Sequence, residues 1–457
     1  MKKIINLFVI IFLLVILIAC QKDDRTHLNF YVWGDSVEVS WYERIAEDFY
    51  EESGIEVRIL PSTGNYYDNL NIYLGSRKNA PDIFFTEQGE ILSQLSTGRI
   101  LDLTPYITSG ALDIVSPDNP DGKIELWNIN DAYKFDGESF GEGSYYALIK
   151  DWSPDFMMWY NKDHIDQYNQ LNDFDENDDQ FMHYPSETIP LSWSEFMDMS
   201  YKLTIKEGTT VTRYGTMLDR VPWKHLFQMI QAGGDTPFID GKYFNENSDA
   251  VKEAFTFFSE LQQGDLASAP TIGPSGIGSG EAFANGNLSF AWFGSWAYSA
   301  FSFDNVSFNL GIAPPPVPDS SQITESSNYG VAAGMIALGI NQSSPLKDEA
   351  IQFLNYYMTK GQEFMAERGF NIPGNLKVAE SDIYLNPEDS FLRYMNNYFF
   401  DYAINYTHPL ILNNHISQIA IETQIAKNFD TFISNYNINQ IDQLLSNIES
   451  DIRNEIG

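Results

Sequence analysis

Apolar and polar residues follow one another along this chain in short, regular blocks. Leu28-Asn-Phe-Tyr-Val-Trp33 is apolar at five of six positions, the pattern of a strand buried on both faces. Gly34-Asp35-Ser36 turns the chain. Tyr42, Ile45, Ala46 and Phe49 then recur at i, i+3, i+4 and i+7, which predicts a helix ended by Gly54. Ile55 to Leu60 predicts a second strand, Tyr66 to Leu74 a second helix, and Pro81 to Phe85 a third strand closed by Thr86-Glu87. Strand, helix, strand, helix, strand implies a doubly wound parallel α/β sheet. Ligands of such sheets sit beyond the carboxyl ends of the strands, where Trp33, Asp35 and Glu87 stand.

Further on, Tyr145 to Leu148 and Phe156 to Tyr160 predict two strands. The polar, proline-containing link Ile149 to Pro154 suits a crossing between lobes and carries Asp151 and Trp152. Residues 166–190 are acidic and loop-like. Ser192-x-x-Glu195 is a capping box that opens a helix to about Leu203. A second amphipathic helix is predicted over 249–263, and strands at Leu288 to Phe293, Gly311 to Ala313 and Gly330 to Ile340. Ser344-Pro345 starts a helix whose buried stripe is Ala350, Ile351, Leu354 and Met358. The last 60 residues read as helices, and no internal repeat is present.

The amino terminus is of another kind. Lys2 and Lys3 precede an apolar run, Ile4 to Ala19, broken only by Asn6. The run ends in Leu17-Ile-Ala-Cys20, and Cys20 is the chain's only cysteine. A basic start, an apolar core and a small residue before the cysteine resemble the signal of bacterial lipoproteins. Residues 1–19 are then a signal peptide, Cys20 the lipidated residue, and 20–27 a linker. The competing reading is an uncleaved membrane helix; the polar Gln21 to Arg25 that follow at once suit a tether better.

The formal net charge of −36 repels nucleic acid and anionic lipid surfaces. With one cysteine there is no internal disulfide, so the fold rests on its core. The 9 Trp and 26 Tyr suit sugar recognition, because aromatic faces stack on the C–H faces of pyranose rings while carboxylates and amides take the hydroxyls.

Several segments, in order, resemble the extracellular solute-binding proteins of ABC importers, in their maltose-binding-protein-like branch. They are Tyr160-Asn-Lys-Asp163, Pro190-Leu-Ser-Trp193-Ser-Glu195-Phe196, Gln231-Ala-Gly-Gly234, Ala282-Phe283 through Gly286 to Trp296, Gly311-Ile-Ala-Pro-Pro-Pro316, Ala350-x-x-Phe353-Leu354 and Ile372-Pro373. The resemblance implies a periplasmic-binding-protein fold. That means two α/β lobes with hinge-linked parallel or mixed sheets and a central ligand cleft. Lobe one is placed at 28–152 plus 330–387, lobe two at 153–329 plus 388–457. It also implies that Trp223 and Trp296 stack on ligand from lobe two, facing Trp33, Asp35 and Glu87. Asp151 and Trp152 join them at the first crossing. Residues 171–188 look like an insertion, and the C-terminal helices lack a tryptophan that some sugar binders use.

The remaining candidates are weighed on their spacing. Trp41, Trp159 and Trp193 read as core. Asp173, Asp175, Asn177 and Asp179 have the spacing of a calcium loop, but Asp178 replaces its glycine and Tyr184 its last glutamate, so a solvated acidic loop is expected. The six histidines lack zinc-ligand spacing, and no G-x-S-x-G elbow occurs. The expectation is a monomeric, non-enzymatic, lipid-anchored receptor without cofactor. It captures an oligosaccharide by hinge closure and hands it to permease subunits of an ABC importer. The alternatives are another solute (an amino acid derivative, a polyamine or a metal chelate) or a surface polysaccharide hydrolase.

Overall fold

The first three strands pair as their pattern predicts. A computed structural model describes residues 26–34, 36–76, 80–217, 226–227, 230, 235–263, 278–319, 331–409 and 413–456. In it, β1 (His27–Val32) lies between β2 (Glu56–Pro61) and β3 (Ile83–Glu87), parallel to both. The helix Ser36–Ser53 buries Tyr42, Ile45, Ala46 and Phe49, the four residues of its periodic stripe. Phe30 of β1 is fully buried among Phe85, Tyr42 and Phe353, with ring centroids 5.2–6.1 Å apart. Each such ring contributes roughly 1.5–3 kcal/mol by burial.

The sheet is mixed, not purely parallel. β4 (Ala147–Pro154) enters it far from the first three strands in sequence. β10 (Val331–Ile340) runs antiparallel to both β3 and β4 and joins them. The short β11 (Ile372–Pro373) pairs with the outer edge of β4. A second sheet holds β5 (Met157–Asn161), β6 (Ile205–Glu207), β7 (Thr210–Thr216), β8 (Leu288–Phe293) and β9 (Leu310–Ala313), in the order β9-β5-β8-β7-β6. Here β8 is parallel to β7 and antiparallel to β5.

Each sheet has its own hydrophobic core. Leu28 to Trp152 and Ala333 to Tyr384 supply almost all of the first. Phe156, Phe196, Phe255 and Ile425 belong to the second. The helix Ser390–Tyr406 divides its faces: Phe400 and Ala403 join the first core, while Met395, Phe399 and Tyr402 pack near Trp159 of β5. Ser192 and Glu195 form the expected reciprocal capping box on the helix Trp193–Leu203.

Three local expectations are corrected. Ile149 to Pro154 is no link; it is the body of β4, buried throughout, and the chain changes sheets at Asp155-Phe156. The acidic segment begins later than expected, because the helix Lys162–Leu171 occupies its first residues. The helix after Ser344-Pro345 starts at Lys347. Ser344 instead donates from Oγ to the buried Asp82 carboxylate at 2.6 Å and accepts from Leu346 N–H.

Candidate ligand-binding cleft

The two sheets meet where β4 hands over to β5. Phe156 there has φ of +66°, a left-handed backbone that a bulky residue rarely adopts. It is held by stacking on Trp292 of β8, with centroids 4.6 Å apart. Phe156, Ser302 and Phe370 are three of five non-glycine residues with positive φ among the described residues, and all three flank or line one cavity. Strained backbone of this kind costs of order 1–3 kcal/mol and clusters at ligand clamps.

That cavity, of about 730 Å³, lies between the sheets at the carboxyl ends of β1 and β3. It brings together Trp33, Glu87, Asp151, Trp152 and Trp296. Asp35, Trp223 and Cys20 lie outside the described residues. Trp33 is half-buried and held edge-on by Tyr66 and Phe85, at 4.5 and 5.0 Å. Trp296 follows β8 and donates from Nε1 to Asp155 Oδ1 at 3.1 Å. Trp152 is only 2% exposed and packs against Trp127 at 4.9 Å, so it is wall and core at once. Its buried Nε1 and the Nε of Arg368 meet no acceptor.

Asp151 owes its place to a bulge. Opposite Ile336-Ala337 of β10, strand β4 skips from Asp151 to Ile149 and leaves Lys150 as the extra residue. In a regular strand Lys150 and Asp151 would point to opposite faces. Here the fully buried Lys150 Nζ reaches Asp151 Oδ2 at 2.5 Å and lies over the Phe85 ring at 4.8 Å. Arg368 stands 3.6 Å from the same carboxylate and 3.3 Å from Glu38, which accepts from Tyr42 Oη at 2.5 Å. The guanidinium also lies 4.4 Å over the ring of strained Phe370. A buried lysine–carboxylate–arginine chain therefore fixes the cleft floor.

Spacing could have shown part of what sequence reasoning missed. Glu38 and Trp41 line the cleft, and Trp41 is not the core residue expected of it. They sit three residues apart beside the buried helical stripe, near the helix end that adjoins β1. Arg368, Phe370 and Asn371 carry no such signal; only the antiparallel docking of β11 on β4 brings them in. Trp159 and Trp193 are buried, as read. The calcium-like loop is spent on local turns, with Asp175 Oδ1 accepting from Asn177 and Asp178 from the Asp175 N–H. Among the described residues no group of acidic, histidine or cysteine side chains could hold a metal ion.

Beyond the cleft, Glu90 is buried near Glu87 and Glu422, and burial with that repulsion pushes its carboxyl up to about 7. Gly89 beside it lies hard against Gln418 at the start of the helix Gln418–Ser434.

A family profile described as bacterial extracellular solute-binding protein matches residues 33–363. Compared with curated protein sequences the chain has no significant match. Solved structures share its fold. An ABC substrate-binding protein from Listeria monocytogenes, in complex with cycloalternan, superposes with a TM-score of 0.74 at 17% identity, over 95% of this chain and 100% of that one. The maltose/maltodextrin-binding domain MalE of Bdellovibrio bacteriovorus, bound to maltotriose, gives 0.68 at 16% over 94% and 99%. The GacH receptor of Streptomyces glaucescens, solved unliganded and with acarbose, gives 0.71 at 18% over 94% and 98%.

Proposed function

The chain belongs to the bacterial extracellular solute-binding protein family, and we propose that it captures an oligosaccharide and presents it to the permease of an ABC importer. The observation that carries this reading is the composition of the cleft. Trp33, Trp41 and Trp296 offer half-buried aromatic surface around a floor of fixed carboxylates. Aromatic faces bind the apolar faces of sugar rings, and carboxylates accept from their hydroxyls. The orphaned donors of Trp152 and Arg368 suit a ligand rich in acceptor oxygens. The ligands of the Listeria, Bdellovibrio and Streptomyces proteins support the same class.

Capture works by closure. The lobes are taken as 28–152 plus 330–387 and 153–329 plus 388–457, with Asp155-Phe156 as one of the connections. Ligand touching Trp33, Glu87 and Asp151 on one side and Trp296 on the other stabilises the closed arrangement by its differential contacts. Asp35 and Trp223 are proposed as further contacts. Binding proceeds without turnover, by a monomer held at the outer face of the membrane through lipid on Cys20.

A cationic solute is the second reading, because Glu38, Glu87, Asp151, Asp155, Asp304 and Glu367 all line the cleft. Four of them are already engaged: Asp151 by Lys150 and Arg368, Glu38 by Tyr42 and Arg368, Asp155 by Trp296 and Glu367 by Arg44. That favours a neutral ligand. A thermal-shift panel of neutral oligosaccharides and polyamines decides between them. Ligand at a hundredfold excess over Kd stabilises the fold by about 2.7 kcal/mol. A shift with polyamines alone would overturn the sugar reading, and product sugar accumulating in proportion to protein would overturn the receptor reading.

A further inference from the structure

The cleft does not end at its aromatic wall. A second pocket of about 420 Å³ adjoins it, and Tyr298 and Asp304 line both. Its own wall is the ring of Phe391, half-buried and stacked with that of Tyr298 at 5.8 Å and 21°. Val306 and Phe308 add apolar surface, while Lys162 and Asp389 place an ammonium and a carboxylate at the rim. An aromatic surface with a few polar groups of both signs is the chemistry of saccharide recognition already seen in the cleft. The burial of Tyr298 between the carboxylates Asp389 and Asp304 pushes its phenol up to about 12, so it stays protonated and keeps an O–H donor at the boundary.

We propose that this pocket is a second saccharide subsite, which takes the further units of a chain that leaves the cleft around Tyr298 and so selects for longer oligosaccharides. The inference rests on the oligosaccharide reading above. It explains why two cavities of the same chemistry share a wall, which a receptor for a single small solute would not require.

The test compares affinities for tri- and hexasaccharides, with maltotriose, mannotriose and their six-unit homologues as probes. In the parent, the hexasaccharide of the preferred series should bind at least tenfold more tightly than the trisaccharide. Phe391→Ala should lose that gain while keeping trisaccharide affinity within about twofold. Val306→Trp, which fills the pocket from another side, should do the same and guards against a folding defect in the first variant. Equal affinity for both lengths in the parent, or an undiminished gain in both folded variants, overturns the subsite while leaving the receptor reading intact. Absence of binding by every saccharide overturns both.

Discussion

The indole N–H of Trp296 donates to Asp155 Oδ1 at 3.1 Å, and Asp155 is the residue at which the chain leaves the first sheet for the second. One bond thus joins an aromatic wall of the cleft to the connection between lobes. The same carboxylate is pressed from both sides. A Cβ added to Gly294, just after β8, would stand 2.9 Å from Oδ1, and one added to Gly334 of β10 would stand 2.8 Å from Oδ2. Both glycines are needed for this close approach, not for an unusual backbone.

Removing the indole separates binding from folding. Trp296 is half-exposed, so Trp296→Ala should lower stability by about 1–2 kcal/mol, mostly through the hydrogen bond lost to Asp155. It should weaken saccharide binding by about 1–3 kcal/mol, a magnitude taken from base–aromatic stacking. Trp159→Ala, in a fully buried site, should instead cost about 3–5 kcal/mol of stability. Calorimetric titration alongside melting of both variants checks the contrast. Normal binding by a destabilised Trp296 variant would make that residue core.

Gly294→Ala places a methyl group 2.3 Å from Ser153 Oγ as well as against Asp155. Relief requires the sheets to part slightly, at about 1–3 kcal/mol for an overpacked site. The variant should fold but bind ligand several-fold more weakly, as small-angle scattering with and without saccharide would register in a more open ensemble. Parent-like affinity would show that the lobes close without this contact.

The buried pair on the bulge should respond asymmetrically. Asp151→Ala leaves Lys150 charged and without its partner in the core, at about 3–5 kcal/mol. Replacing both residues, Lys150→Met with Asp151→Leu, removes the stranded charge and should restore most of the melting temperature. Ligand binding should stay lost in the double variant, because the floor carboxylate is gone. Denaturant titration and binding assays together separate the two roles.

Glu90 should make stability depend on pH. The folded protein holds its proton up to about pH 7, whereas the unfolded chain releases it near 4.5. Between those values the folded state binds more protons, so this contribution falls as pH rises and is gone above about pH 7. The shift corresponds to about 3 kcal/mol. Glu90→Gln should match the parent near pH 4 and exceed it at pH 8 by about 2–3 kcal/mol. Equal pH profiles for the two proteins would show that Glu90 is ionised at no cost in the fold.

The sequence by itself determined what is local and periodic. Tyr42, Ile45, Ala46 and Phe49 recur at helical spacing, Leu28 to Val32 form an apolar run, and Ser192 and Glu195 make their cap within one turn. Each of these fixes an element without distant partners. The order of those elements also placed Trp33 and Glu87 beyond the ends of parallel strands, inside the cavity. Tertiary structure alone decided the rest. Whether 149–154 is strand or link depended on β10, nearly two hundred residues away, offering a hydrogen-bonding edge. The bulge that turns Lys150 and Asp151 inward exists only in that pairing, since a strand read alone sends neighbours to opposite faces. Arg368 and Phe370 reach the cleft because β11 docks on β4, a contact that leaves no periodic trace in the chain.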